Sequence, residues 1–310
     1  MRIIFMGTPE FAVASLDALL KAGFNIVAVV TAPDKPAGRG QKLSEPAVKK
    51  YAREKDIRVL QPVRLKDPGF LGQLSGFAAD LQIVVAFRML PELVWNMPPK
   101  GTINLHASLL PDYRGAAPIN WAVINGEKET GVSTFFLQHE IDTGNILLSE
   151  PVSIDDDETA GELHDKLMLT GAALLVKTVK AVESGDYTET PQQELIDASS
   201  GEQRAPKHAP KIFKEDCLIN WNRPMRQVYN HIRGLSPYPA AFSYLHDKTL
   251  KIYKSRPLAQ SPSVQPGEVE SDGKTYLRFA CIDGLIDVKE LQLEGKKKMG
   301  TEEFLRGYRI

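Results

Sequence analysis

Residues 2–31 read RIIFMGTPEFAVASLDALLKAGFNIVAVVT, and their pattern decides the fold class. Residues 2–7 are a continuous apolar run closed by Gly7, as a central parallel strand covered on both faces requires. Thr8 and Pro9 can open a helix, with Thr8 as its cap and Pro9 in the first turn. Leu16, Leu19 and Leu20 then recur at helical spacing up to Gly23, a helix stop. NIVAVVT (25–31) is a second apolar strand. Strand, helix and strand in this order make a βαβ unit, whose crossover is right-handed.

The alternation continues outward. Ser44 and Pro46 can start a helix that runs through Lys55, and RVLQP (58–62) and LQIVVAF (81–87) supply further strands. TINLHASLLP (102–111) is the next strand and its turn, GVSTFFLQ (131–138) another, and NILLSEPVSI (145–154) one or two more. Residues 158–184 place Leu163, Leu167, Leu174 and Leu175 on one face of a long helix. The expected architecture is α/β, an open, mostly parallel Rossmann-like sheet over residues 1–187. Residues 188–207 are rich in Pro, Gln, Ser and charge, the composition of a linker. Residues 208–310 hold one short helix near 224–233 and many short β-like runs separated by turn residues. A small OB-like β-barrel domain accounts for them, and a sandwich fits the same pattern.

Composition narrows the function classes. The chain has 310 residues, enough for two domains, and 43% are hydrophobic. No apolar run reaches the roughly 18 residues of a membrane-crossing helix. The start shows neither a signal peptide nor a transit peptide, so a cytoplasmic protein of bacterial type is expected. Cys217 and Cys281 are too few and too far apart for a disulfide framework or a zinc site. The net charge of −1 hides an asymmetry: residues 205–310 carry 18 Lys+Arg against 12 Asp+Glu, while residues 1–204 carry 20 against 27. Within the acidic part, residues 35–66 carry ten basic side chains and three acidic ones. Both basic regions suit a polyanion, and both suit a solvated surface.

The first βα turn, GTPEFA (7–12), lacks the second glycine that lets a pyrophosphate approach the backbone, which argues against a dinucleotide site. The chemistry-bearing stretch is instead TINLHASLLPDYRGAAP (102–118). Alternation puts Asn104, His106 and Ser108 on one face of the strand, and Ser108-Leu109-Leu110-Pro111 turns at its carboxyl end, where open α/β sheets bind ligands. Downstream, EIDTG (140–144) supplies Asp142 in what is either an Asx turn or a carboxylate that reaches His106. Asn, His and Asp together suit acyl transfer to an amine, with donors for an oxyanion and a group to move protons.

Over nearly its whole length the chain resembles the methionyl-tRNA formyltransferase family. The matching pieces are MRIIFMGTPEFA, DKPAGRGQKL with PAVKKYA, INLHASLLPDYRGAAPINWAV, IDTGNIL and GKKKM. The Asn-x-His, SLLP and Asp-Thr-Gly pieces are shared by the wider folate-dependent formyltransferase superfamily; the opening, the basic loop and the C-terminal part favour the tRNA enzymes. The resemblance implies that Asn104 holds the formyl oxygen, that His106 assists proton transfer and oxyanion stabilisation, and that Asp142 orients and tunes His106. It implies a folate-binding turn at Ser108, Leu109, Leu110 and Pro111, and tRNA contacts from Arg39, Lys42, Lys296, Lys297 and Lys298. The implied cosubstrate is 10-formyltetrahydrofolate and the implied partner methionyl initiator tRNA; no metal and no membrane are expected, and a monomer is the default where the sequence leaves oligomeric state open. Two positions depart from the family pattern: Arg88 where glycine is usual, and RGLSPYPA (233–240) where relatives differ after the arginine and before the last alanine. The same apparatus would serve formylation of a small amine such as an amino sugar nucleotide. An RNA-binding module with an inert α/β domain has no use for the complete Asn104, His106 and Asp142 set.

Overall fold

The computed structural model describes residues 1–37, 42–198 and 205–310. They form two compact units. The first comprises Met1–Gly115, Gly131–Val152 and Asp165–His208; the second Ala116–Thr130, Ser153–His164 and Ala209–Ile310.

The first unit is built on a seven-stranded sheet. Its strands in chain order are β1 (Arg2–Gly7), β2 (Asn25–Val30), β3 (Val59–Leu60), β4 (Leu81–Val85), β5 (Thr102–His106), β6 (Glu129–Phe136) and β7 (Ile146–Ser153). Their spatial order is β7-β6-β5-β4-β1-β2-β3. β1 pairs in parallel with both β2 and β4, β4 with β5, and β2 with β3, whereas β6 is antiparallel to β5. The chain therefore reverses direction across the sheet at β1, so the carboxyl ends of β1 and β4 flank a topological switch point. Ile3, Ile4, Phe5 and Met6 are all fully buried, as the apolar run requires of a central strand. One face is filled by Ile4, Met6, Val30, Phe70, Leu74 and Val84, among others, which brings α3 (Pro68–Gly76) onto the sheet.

The helices α1 (Glu10–Lys21) and α2 (Ala47–Glu54) come where periodicity places them. The cap of α1 differs from expectation. Pro9 is the N-cap residue and no side chain caps the helix, so Thr8 stays outside it. The basic stretch expected as loop forms two short antiparallel strands, Lys35–Ala37 and Lys42–Ser44. Residues 160–184 form one helix of 25 residues, α6 (Ala160–Ser184), after α4 (Glu92–Trp95) and α5 (Pro118–Ile124). The stretch that composition marks as linker carries a bridge between Thr190 and Ile146 and a helix, α7 (Gln192–Ala198).

The second unit is a curled antiparallel sheet around its own core. Its strands are β8 (Ala241–Leu245), β9 (Lys248–Leu258), β10 (Val269–Ser271), β11 (Leu277–Ala280), β12 (Leu285–Leu293) and β13 (Met299–Gly300), in the order β8-β9-β12-β11-β10 with β13 also on β12. Leu250, Ile252, Leu277, Phe279, Ile286, Val288 and Leu291 are buried inside it, with Trp221 stacked on Phe279 at 4.5 Å between ring centroids. α8 (Met225–Gly234) and α9 (Thr301–Gly307) pack on the same core through Val228, Ile232, Phe304 and Leu305. Mid-chain segments belong to this unit through long-range bonds. Asn120 on α5 donates to the carbonyl of Gly234 (2.7 Å). Arg233, almost fully buried, donates through Nη1 to the carbonyls of Asp155 (3.2 Å) and Glu158 (2.8 Å). Cys217 and Cys281 are free and buried. Among the described residues, no helix is long and apolar enough to cross a membrane.

Candidate active site

Asn104 and His106 project from the same face of β5 at its carboxyl end. In register, Asn104 faces Phe135 of β6 and His106 faces Ser133. Asn104 is half-buried, and its side-chain amide makes no hydrogen bond among the described residues. His106 is 7% exposed and held from two sides. Its Nε2 lies 2.9 Å from the carbonyl of Tyr113. A carbonyl only accepts, so the proton sits on Nε2. The other ring nitrogen, Nδ1, faces Oδ2 of Asp142 at 3.9 Å, within ion-pair range of an imidazolium but beyond a hydrogen bond.

The segment after His106 is tied back to the sheet. The hydroxyl of fully buried Ser133 donates to the carbonyl of Ser108 (2.8 Å) and accepts from the N–H of Leu110 (3.2 Å). Ser108 Oγ donates to the carbonyl of Asp112 (2.7 Å). Leu110 is buried with Phe135 and Ile146, and the Leu110–Pro111 peptide is cis. Leu109 lies over Gly131, where an added Cβ would come within 2.5 Å of its side chain. The two leucines thus anchor the turn from beneath. Tyr113 then adopts a left-handed conformation, φ 61°, rare for a bulky residue, with its N–H donating to the carbonyl of Lys207 (2.6 Å). That turn aims its carbonyl at His106.

Asp142 also has a left-handed backbone, φ 55°, and its Oδ2 accepts from the N–H of Gly115 (3.0 Å). Gly144, two residues on, is compulsory: a Cβ there would lie 1.7 Å from the carbonyl oxygen of Phe136. The turn is held by Gln192, whose amide nitrogen donates to the carbonyls of Asp142 and Gly144, both at 2.8 Å. A cavity of about 370 Å³ adjoins this turn, lined by Trp95, Gln138, His139, Glu140 and Thr143.

The structure therefore brings Asn104, His106 and Asp142 together with the Ser108–Pro111 turn. Arg39 lies outside the described residues. Lys42 pairs through its backbone with Ala37 in the short hairpin. Lys296, Lys297 and Lys298 are exposed on the connection from β12 to β13. Lys298 pairs with Glu290 (2.7 Å) and lies over the Tyr253 ring, and Lys297 faces Glu303 (3.5 Å). No group of three or more His, Cys, Asp or Glu side chains among the described residues is arranged to hold a metal ion. The Tyr113 carbonyl, Ser133 and Gln192 carry no sequence signal. A backbone acceptor has no residue type, and a serine inside a strand and a glutamine after proline are ordinary.

Both parts of the chain have the build of a formyl transferase: the formyl transferase family model matches residues 1–179, and the model of the formyl transferase C-terminal domain matches residues 211–309. Methionyl-tRNA formyltransferase of Bacteroides fragilis is 52% identical over all of this chain and 96% of its own length. The protein of the same name from Flavobacterium johnsoniae is 50% identical over 99% of this chain and 96% of its own length. The chain belongs to the methionyl-tRNA formyltransferase family. More distant solved structures share the fold. A sugar 3N-formyl transferase, WlaRD, solved in the presence of dTDP and 5-N-formyl-THF, superposes with a TM-score of 0.65 at 20% identity, over 96% of this chain and 99% of its own. HypX from Aquifex aeolicus in complex with tetrahydrofolic acid gives 0.63 at 18%, over 98% of this chain and 47% of that one.

Proposed function

We propose that this chain transfers the formyl group of 10-formyltetrahydrofolate to the α-amino group of methionine on initiator tRNA, with Asn104, His106 and Asp142 carrying the chemistry. The observation that carries the residue assignment is the two-sided hold on His106 beside an amide that has no hydrogen-bond partner among the described residues, at the carboxyl end of a sheet strand.

The reaction needs three things from the protein. The amine attacks the formyl carbon, so negative charge gathers on the formyl oxygen. The Asn104 amide has donors to spend there, and one such preorganised donor is worth roughly 3 kcal/mol. The attacking amine must lose a proton and the departing folate nitrogen must gain one. His106 is the group for this traffic, and the Tyr113 carbonyl decides which of its nitrogens works. Nε2–H is engaged, leaving Nδ1 to exchange a proton. When Nδ1 is protonated, the Asp142 carboxylate compensates the imidazolium charge. Asp142 therefore acts as a charge partner across 3.9 Å rather than as a direct hydrogen-bond acceptor in this state.

The turn at Ser108, Leu109, Leu110 and Pro111 borders the cosubstrate in this reading. Since Leu110 is spent on the core and Leu109 on Gly131, the turn offers backbone rather than leucine side chains. Arg39 and Lys42 serve the acceptor end of the tRNA, and Lys296, Lys297 and Lys298 its arm. Residues 1–187 carry the transfer chemistry, 188–207 connect, and 208–310 hold the tRNA, in a monomer of the bacterial cytoplasm.

The acceptor is tested directly. Protein supplied with formyl-labelled 10-formyltetrahydrofolate is offered methionylated initiator tRNA, methionylated elongator tRNA, or an amino sugar nucleotide. Label is expected in the initiator tRNA. Label in the sugar nucleotide, with none in tRNA, would replace this reading by small-amine formylation.

A further inference from the structure

Gln192 opens the helix in the stretch whose composition suggests a linker, yet it is only 2% exposed. The chain just before it is fixed: Thr190 and Ile146 exchange both backbone hydrogen bonds at 2.9 Å, pinning residue 190 to the start of β7. The amide of Gln192 is used at both ends. Its nitrogen donates to the carbonyls of Asp142 and Gly144 (2.8 Å each), and its oxygen accepts from Nε (3.0 Å) and Nη2 (2.6 Å) of Arg114. Arg114 lies between Tyr113, whose carbonyl holds His106, and Gly115, whose N–H holds Asp142. Burial pulls the Arg114 guanidinium below its ordinary value, and the charges of Asp142 and Glu140 oppose that pull. One side chain thus joins the two loops that converge on the imidazole. Both have a residue in the left-handed region, Tyr113 and Asp142, and each needs its surroundings to stay there.

We propose that Gln192 is a positioning residue for formyl transfer: its amide locks the Asp142 turn to the Tyr113–Gly115 loop and so sets the carboxylate against His106. The proposal rests on the catalytic reading of Asp142 and His106 above. Only an amide fits both ends. A carboxylate keeps the acceptor for Arg114 but turns a second oxygen toward two carbonyls. An aliphatic side chain strands those two carbonyls and the guanidinium together.

The test is a double-mutant cycle in single-turnover transfer, using Gln192→Leu, Gln192→Glu and Asp142→Ala in the full chain. Each Gln192 variant is expected to lower the transfer rate about 10- to 100-fold, the cost of an ångström-scale misplacement of reacting groups. KM for tRNA and for the folate should change little. In the Asp142→Ala background the same substitutions should cost nothing further, because the carboxylate they position is gone. A structural role alone would lower thermal stability and give the same fractional loss in both backgrounds. Equal losses in the two backgrounds, a change confined to KM, or a wild-type rate in either folded Gln192 variant overturns the proposal while leaving the catalytic reading intact. Asp142→Ala at the wild-type rate would instead remove the catalytic reading, and this proposal with it. Gln192→Glu, which keeps a polar group at the site, carries the cycle if the leucine variant does not fold.

Discussion

Arg88 spends its guanidinium on its own chain. It donates to the carbonyl of Pro62 and, at 3.0 Å, to that of Val63, and its charge lies 5.7 Å from the Phe87 ring centroid. Partial burial pulls it below the ordinary arginine value, but it stays charged at neutral pH. The side chain is therefore a clamp on residues 62–63, with one donor of each Nη already engaged. Arg88→Gly is expected to leave unchanged the ratio of kcat/KM between polyglutamylated and monoglutamylated cosubstrate. Kinetics with the two forms side by side check this, and a selective loss with the long tail would show that Arg88 reaches it. At this scale the sequence exposed side chains and hid backbone. Asn104, His106 and Asp142 stand out because their chemistry is written in their residue type. What orients His106 is a carbonyl, legible only once Tyr113 is seen in its left-handed turn.

Among the elements, α8 carries a titratable group that the reaction does not use. His231 lies in it with Nε2 buried and without a hydrogen-bond partner among the described residues. Burial pushes its imidazole down to about 4, the charge of Arg223 adding to this and a bond to the backbone of Cys217 opposing it. The folded state therefore holds a neutral ring where the unfolded chain would take a proton near its ordinary value of 6.5. Between those values the unfolded state binds more protons, so stability falls as pH falls, by on the order of 3 kcal/mol once both limits are passed. His231→Phe should flatten that part of the profile. Urea midpoints at pH 7, 5.5 and 4.5 for the two proteins check it, and parallel slopes would contradict it. Elements with one dominant pattern were legible in the sequence. β1 is apolar from Ile3 onward because both faces are covered there, and α6 repeats its leucines at helical spacing. α7 was not legible, since its opening residue is a buried glutamine satisfied by groups far away in sequence, at Arg114, Asp142 and Gly144.

Across the whole molecule, composition separates a leading α/β part from a trailing β part, and the structure has both. It also draws residues 116–130 and 153–164 into the second unit. No periodicity announces that. It follows from Asn120 reaching the carbonyl of Gly234, and from the buried Arg233 whose guanidinium ends on the carbonyls of Asp155 and Glu158. The family assignment rests on the full chain, with relatives at about half identity matched end to end, whereas the roles of single residues rest on the geometry around His106. Those roles are the central claim. Single-turnover transfer to methionylated initiator tRNA, measured for His106→Ala and Asn104→Ala beside the unaltered protein, tests it most directly. Each variant is predicted to lose about 100-fold or more in rate, with tRNA binding unchanged in a parallel titration. A rate near that of the unaltered protein in either variant would contradict the account.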